Sequence, residues 1–280
     1  MGKSVLESRN PLKLRLTEVG TPLINRARKR FGQNFLHDPG SIGRILSAVA
    51  PRPGEHIVEI GPGRGAITTG LLRAAGNLDA IELDRDLIAP LRDLCAGLGE
   101  LRVVSADALK WDFRGLAATG EKLRVVGNLP YNISTPLLFH LLDQADCIGD
   151  MHFLLQKEVV QRMAAGPGSK SYGRLGIMIQ ARCRVQSLFV IGPGAFRPPP
   201  KVDSAFVRLI PHSEPLYDIH DPATFANLVS HAFAQRRKTL RNTLKPLLSA
   251  EAIAACGIDP SARAEQLAIG ELARLANAID

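Results

Sequence analysis

The run Asn128-Leu129-Pro130-Tyr131 sets a carboxamide, a kinked main chain and an aromatic ring side by side. Those are the parts needed to grip an adenine by its exocyclic amine while that nitrogen attacks a methyl donor. The amine lone pair is delocalised into the ring, so the nitrogen is a weak nucleophile. Catalysis then consists mainly of placement and of stabilising charge as it develops at nitrogen. The Asn128 side-chain oxygen and the Leu129 carbonyl would accept the two amine hydrogens. Pro130 fixes its own φ and biases Leu129 away from the α region, which turns that carbonyl outward. Tyr131 would stack on a base withdrawn from its nucleic-acid neighbours. Asn, Pro and Tyr also recur in plain strand-end turns, so the motif acquires meaning only beside a donor site.

Such a site is written upstream. Gly61-Pro62-Gly63-Arg64-Gly65 follows the apolar run His56–Ile60 and precedes a helical pattern from Ala66 to Ala75. Glycines allow left-handed angles and close approach, and free amides at a helix start can hold a polar ligand. Glu82 ends the next strand, where a carboxylate can accept from both ribose hydroxyls of a nucleotide. Asp107 ends a third strand. It is placed either to receive the amine of the donor's own adenine or to cap the turn Ser105–Ala108. Ala66 fits the third small position of a dinucleotide fingerprint, so a nicotinamide enzyme shares these features. Hydride transfer, however, has no comparable use for the Asn128 run. Two further segments border the site: Arg30–Leu36, a clamp over a ligand or a packing cap, and Phe196–Ser204. In the latter, Phe196 would either sandwich the base against Tyr131 or plug the sheet edge, and the prolines stiffen the loop.

These residues need a scaffold that brings strand ends together. Strand patterns at His56–Ile60, Leu78–Leu83, Leu101–Val104, Leu123–Gly127 and His152–Leu155 alternate with helical patterns at Ser41–Val49, Ala66–Ala75, around Leu87–Leu94 and at Pro136–Gln144. Repeated βα units imply an α/β fold, Rossmann-like, with a mainly parallel sheet between helices. Ligands in such folds lie beyond the carboxyl ends of the strands, where Gly61, Glu82, Asp107 and Asn128 all fall. Alternating apolar positions over Ile177–Val190 and again over Ser204–Ile210 predict a late antiparallel hairpin. From Asp221 onward the texture is helical: Pro222–Phe233, Thr239–Leu248, Ala250–Cys256 and Ala262–Ile279. The expected organisation is a basic arm over 1–30, a Rossmann-like domain over 31–215 and a helical domain over 216–280.

Composition agrees with a nucleic-acid partner. Lys and Arg total 35 against 27 Asp and Glu, a formal charge of +8, and the 45% hydrophobic content suffices for a core. The excess concentrates in the arm (Lys3, Arg9, Lys13, Arg15, Arg26, Arg28, Lys29 and Arg30 against Glu7 and Glu18) and in Arg236-Arg237-Lys238 with Arg241 and Lys245. Such clusters attract polyanions in a salt-dependent way. Cys95, Cys147, Cys183 and Cys256 show no paired short spacing, so neither zinc cluster nor redox pair is expected. No apolar stretch reaches membrane-span length, and a cytoplasmic setting is the simplest.

On Phe31–Leu36, Glu59–Gly65, Ile81–Asp84, Asp107-Ala108, Gly127–Pro136 and Phe196–Ser204, found in family order, the sequence resembles the ribosomal RNA adenine dimethyltransferase family, and within it the bacterial small-subunit members. The resemblance implies S-adenosylmethionine as methyl donor, S-adenosylhomocysteine as product and no metal. It implies N6,N6-dimethylation of two adjacent adenosines near the 3′ end of 16S rRNA in an immature small subunit, by a monomeric cytoplasmic protein. Asn34, Leu36, Gly61, Gly63, Glu82, Asp107 and Asn128 would line the donor site, and Asn128, Leu129, Pro130, Tyr131 and Phe196 the acceptor site. Related alternatives are a 23S rRNA adenine methyltransferase of the macrolide-resistance type and a non-catalytic nucleic-acid-binding relative; a DNA adenine methyltransferase shares the local chemistry. The chain departs from the family at its start, where a stretch including Pro11–Thr21 extends the usual basic arm.

Overall fold

Apolar strands followed by one-sided helices recur from residue 57 onward, and a parallel sheet covered on both faces buries that pattern. The computed structural model describes residues 32–118 and 120–279, so the basic arm expected over 1–30 lies outside the described residues. The elements are β1 (Phe35–Leu36), α1 (Pro39–Val49), β2 (Ile57–Ile60), α2 (Thr68–Ala75), β3 (Asn77–Glu82), α3 (Arg85–Cys95), β4 (Glu100–Ser105), β5 (Leu123–Asn128), α4 (Ser134–Leu142) and β6 (Ile148–Gln156). They continue with α5 (Lys157–Ala164), α6 (Arg174–Gln180), β7 (Cys183–Ile191), β8 (Phe196–Arg197), β9 (Ser204–Pro211), α7 (Pro222–Ala232), α8 (Leu240–Thr243), α9 (Ala250–Ala255) and α10 (Ile269–Asn277).

The large sheet has the order β4-β3-β2-β5-β6-β9-β7. Its first five strands run parallel, and β9 lies antiparallel between β6 and β7. This is the expected Rossmann-like sheet with its late antiparallel pair. The chain moves outward from β2 to β4 and then returns to place β5 on the other side of β2. The crevice beyond the carboxyl ends of β2 and β5 is therefore the topological switch point, where such sheets bind ligands. Separately, β1 pairs antiparallel with β8, with Leu36 opposite Phe196.

Alternation along the strands splits the core. Val58, Ile60, Val125 and Phe153 face one apolar cluster; Ile57, Leu78, Ala80, Val126 and Leu154 face the other. A third cluster joins α7 to α10 and draws Ala165, Tyr172 and Ile177 from earlier in the chain. The Tyr172 hydroxyl donates to the Leu267 carbonyl at 2.9 Å. Caps set two helix starts: the Asp38 and Asp221 carboxylates accept from Ser41 N and Thr224 N, each with proline at the first helical position, so α1 begins two residues before the Ser41 start read from the sequence.

Other stretches differ more from the sequence reading. The first four residues of Ile177–Val190 are helix, not strand: α6 presses Gly176 against the Arg162 carbonyl of α5, an approach that a Cβ would block, and β7 starts only at Cys183. Thr239–Leu248 shortens to α8 because Pro246 cannot continue a helix. Ala262–Ile279 breaks into a 3₁₀ turn at Ala264–Gln266 and a fresh helix, α10, where Glu271 accepts from the Ala268 amide at 2.7 Å.

The amino ends of the strands are laced by charge. Arg124 of β5 donates to Asp150 of β6 at 3.0 Å and to Glu55 at 2.6 Å, while Arg208 of β9 reaches the same Asp150 at 2.7 Å. The Asp150 side chain is only 7% exposed. Replacing Asp150 by Ala should strip the acceptor from two guanidinium groups and lower unfolding stability by about 3–5 kcal/mol in urea titration. A loss below about 1 kcal/mol would mean that the pair behaves as a surface ion pair.

Candidate functional site

The glycine loop takes its shape from three left-handed residues, Gly61 (φ 67°), Gly63 (φ 59°) and Gly65 (φ 79°). Gly65 N donates to the Pro62 carbonyl at 2.9 Å, and α2 begins at Thr68, two residues later than the sequence suggests. A Cβ at Gly65 would meet Leu94 Cδ2 at 2.7 Å, and one at Gly63 would meet the Phe35 ring at 3.2 Å. The Arg64 guanidinium lies over the same ring, 4.4 Å from its centroid. The loop is thereby closed from above by the segment 32–36.

Glu82, 6% exposed at the end of β3, binds the loop from below: its carboxylate accepts from Gly63 N at 3.1 Å and from Asp84 N at 2.8 Å. Burial pushes its pKa up, against the pull of those amides. Asp107 caps its turn, its side chain accepting from Leu109 N at 3.0 Å, and it also lines the cavity.

Asn128 ends β5 beside this loop. Its side-chain Nδ2 donates to the main-chain carbonyl of Asn34 at 2.9 Å, which leaves the side-chain oxygen as the end not engaged by that bond. Leu129 is buried and its amide donates to the Leu154 carbonyl of β6 at 3.3 Å. Pro130 and Tyr131 then turn the chain: Ile133 N donates to the Pro130 carbonyl at 3.2 Å and the Ser134 hydroxyl to that of Tyr131 at 3.1 Å. The Tyr131 hydroxyl shares a 2.8 Å hydrogen bond with Ser204 Oγ.

One cavity is lined by Asn34, Leu36, Gly61, Gly63, Glu82, Asp107, Asn128, Leu129, Pro130 and Tyr131. Phe196 is not among its lining residues. It sits 2% exposed in the apolar cluster that holds Leu36, Ile191 and Phe206, which is the plug position of the two roles open to it. Among the described residues no group of three or more His, Cys, Asp and Glu side chains gathers in a way that could hold a metal, and no helix is long and apolar enough to cross a membrane.

Sequence reasoning assigned no role to Glu59, although an acid inside the apolar run Ile57-Val58-Glu59-Ile60 was a signal. Glu59 is 1% exposed, lines the cavity, and its Oε2 has no partner among the described residues. Two other features were invisible because they join distant segments: Gln33 Nε2 donates to Asp84 at 3.0 Å, and Ser204 meets Tyr131.

The chain is similar to known proteins. The family model described as "Ribosomal RNA adenine dimethylase" matches residues 24–280. The ribosomal RNA small subunit methyltransferase A of Pseudomonas aeruginosa is 61% identical over 254 residues, which cover 90% of this chain and 94% of that one. The protein of the same name from Xanthomonas campestris is 58% identical over 251 residues, covering 90% and 95%. Among solved structures, a dimethyladenosine transferase from Plasmodium falciparum superposes with a TM-score of 0.74 at 25% identity, covering 86% of this chain and 95% of that one. The 23S rRNA methyltransferase ErmE gives 0.68 at 26%, covering 88% and 100%.

Burial pushes the Glu59 carboxyl up to about 8, the nearby Thr68 hydroxyl opposes this, and the Glu82 charge adds to it. The acid is thus protonated at neutral pH in the folded protein and ionised in the unfolded chain. The stability that the proton contributes is complete below the ordinary value of 4.5 and is lost as pH rises through about 8. Glu59→Gln keeps the neutral shape, so its Tm should gain on the parent by about 2–4 °C or more between roughly pH 5 and pH 8. A Tm difference that stays flat over that range would show Glu59 already ionised in the fold.

Proposed function

The chain belongs to the ribosomal RNA adenine dimethylase family, and from that premise we propose that it uses S-adenosylmethionine to dimethylate, at N6, two adjacent adenosines near the 3′ end of 16S rRNA in a maturing small ribosomal subunit. The observation that carries this reading is the Asn128 side chain. Its nitrogen is committed to the Asn34 carbonyl, so its oxygen is left to accept from an amine in the same cavity as the glycine loop.

The residues present suit the donor. A carboxylate has about four lone-pair directions, and the backbone amides of Gly63 and Asp84 occupy two of them on Glu82. The Leu83 amide also bears on this carboxylate, and its remaining capacity would serve the ribose hydroxyls. Gly63 lets the loop approach a ligand under Phe35, and Asp107 offers an acceptor to an adenine amine. Asn34, Leu36 and Gly61 complete the wall. When bound, S-adenosylmethionine supplies an electrophilic methyl carried on a sulfonium.

On the acceptor side, Asn128 Oδ1 and the Leu129 carbonyl take the two amine hydrogens and turn the nitrogen lone pair out of conjugation. Tyr131 presents its face to the base. Both acceptors strengthen as the nitrogen becomes positive, which favours the transition state over the ground state. No side-chain base is required at the outset, because the amine proton becomes acidic only after attack begins. The monomethyl product can rebind with its remaining hydrogen held by one acceptor, so a second transfer follows from the same geometry.

The helical segment 216–280 would carry part of the RNA contact. Arg236 donates to the Lys170 carbonyl at 2.8 Å and pairs with Glu265 at 3.0 Å, whereas Arg237 and Lys238 are exposed at the same turn. We assign the phosphate contact to the latter two, made by a monomeric protein in the cytoplasm.

Incubation with methyl-labelled donor and separate immature small and large subunits, followed by nucleoside mapping, should yield dimethyladenosine at two adjacent positions near the 3′ end of 16S rRNA. Label on large subunits, or binding without label, would overturn the reading. Asn128→Ala should lower kcat by about 10²-fold or more while donor affinity changes much less. Glu82→Ala should show the opposite split, with weakened donor binding by calorimetry. Removing Arg237 and Lys238 together should weaken particle binding and flatten its salt dependence.

A further inference from the structure

Stacking on a base needs only an aromatic face, and phenylalanine would supply one as well as tyrosine. The Tyr131 hydroxyl therefore has another use, and the structure shows what it touches: Ser204 Oγ, at 2.8 Å. We propose that Ser204 is a positioning residue for methyl transfer, holding the Tyr131 ring through its hydroxyl so that the acceptor base meets an aromatic face already set in place. The inference rests on the adenine-N6 reading given above.

Ser204 is well suited to act as a fixed post. It is fully buried, 0% exposed, and opens β9, where its backbone lies opposite Gln156 of β6 on one side and Ile191 of β7 on the other. The preceding residue is tied down as well. Asp203 accepts the Lys157 amide at 3.0 Å through its carbonyl and pairs with the Lys157 ammonium at 3.1 Å. The Tyr131 ring is thereby held at both ends. Its main chain is constrained by Pro130 and by the Ser134 hydroxyl on its carbonyl, and its far end by a hydroxyl rooted in the sheet. A ring fixed in advance need not be ordered when the base arrives, and small losses of alignment are costly to a displacement that requires nitrogen, methyl carbon and sulfur in line.

Ser204 also ends the Phe196–Ser204 motif, whose opening residues form β8 and pair with β1. The donor-side segment 32–36 and the anchor of the acceptor ring thus belong to one continuous framework.

The test compares the parent with Ser204→Ala, Tyr131→Phe and the double variant, using immature small subunits and labelled S-adenosylmethionine. Ser204→Ala and Tyr131→Phe should each lower kcat by roughly tenfold, with donor Kd changed by less than about twofold. The double variant should be no slower than Tyr131→Phe, because both substitutions remove the same bond. Tyr131→Phe leaves the fold and the stacking face in place, so it keeps the test decisive should Ser204→Ala fold poorly. Parental turnover in either single variant would overturn the proposal, as would losses that multiply in the double variant, or a fall in donor affinity matching the fall in kcat. A parent that leaves small subunits unlabelled refutes the functional reading itself; a labelling parent with an equally active Ser204→Ala refutes only the role of Ser204.

Discussion

The bond from the Asn128 carboxamide to the Asn34 carbonyl joins residues 94 positions apart, and it decides which end of that amide the cavity receives. A free carboxamide can turn either its amino end or its oxygen toward a ligand; the bond from Nδ2 to Asn34 fixes that choice and leaves the oxygen as the end it does not engage. Much of the surrounding architecture keeps this bond in register. The β1–β8 ladder fixes the segment that supplies the carbonyl. Gln33 binds Asp84 just beyond Glu82, and Gly32, at φ 61°, lets the chain pass Asn132 so closely that a Cβ would lie 3.0 Å from its side-chain oxygen. The segment that closes the glycine loop therefore also orients the group proposed to receive the acceptor amine.

Much of this scaffold was legible in the sequence because its signals are local. Apolar strand runs, one-sided helices, the aspartate and proline start of α7, and the glycine spacing each report on a few adjacent residues. They sufficed to place Gly61, Glu82, Asp107 and Asn128 at strand ends and to infer one crevice. The misread stretches are those where tertiary contact overrides periodicity. Ile177–Val190 alternates as a strand would, yet its first four residues finish α6, where Gly176 fits against α5, and the strand begins at Cys183. Glu59 was visible but mute, since an acid in an apolar strand does not by itself say whether it is paired, protonated or exposed.

Phe196 shows the limit from the other direction. Its neighbours Pro198, Pro199 and Pro200 mark a stiff loop, but stiffness alone cannot say which way an aromatic points. The backbone pairing of Phe196 with Leu36 turns its ring into the apolar cluster with Phe206, and Tyr131 alone of the two rings lines the cavity. The proline-rich motif meets Tyr131 through its last residue, Ser204, rather than through its first.

The two ends of the sheet treat buried charge in opposite ways. At the amino ends, burial is the largest influence on Asp79 and Asp150 and pushes both up. Arg102 and His56 on the first, and Arg124 and Arg208 on the second, nonetheless hold them below the ordinary carboxylate range. These acids are charged, paired and stabilising at neutral pH. At the carboxyl ends, Glu59 and Glu82 are buried without a cationic partner among their principal influences, and both are pushed up. Unpaired buried acids oppose folding, so their concentration at one edge marks where the molecule retains polar groups for something other than its own stability. That edge is the switch point between β2 and β5, which carries the glycine loop on one side and Asn128 on the other. The laced amino ends supply the rigidity that allows such an edge to persist in a folded chain.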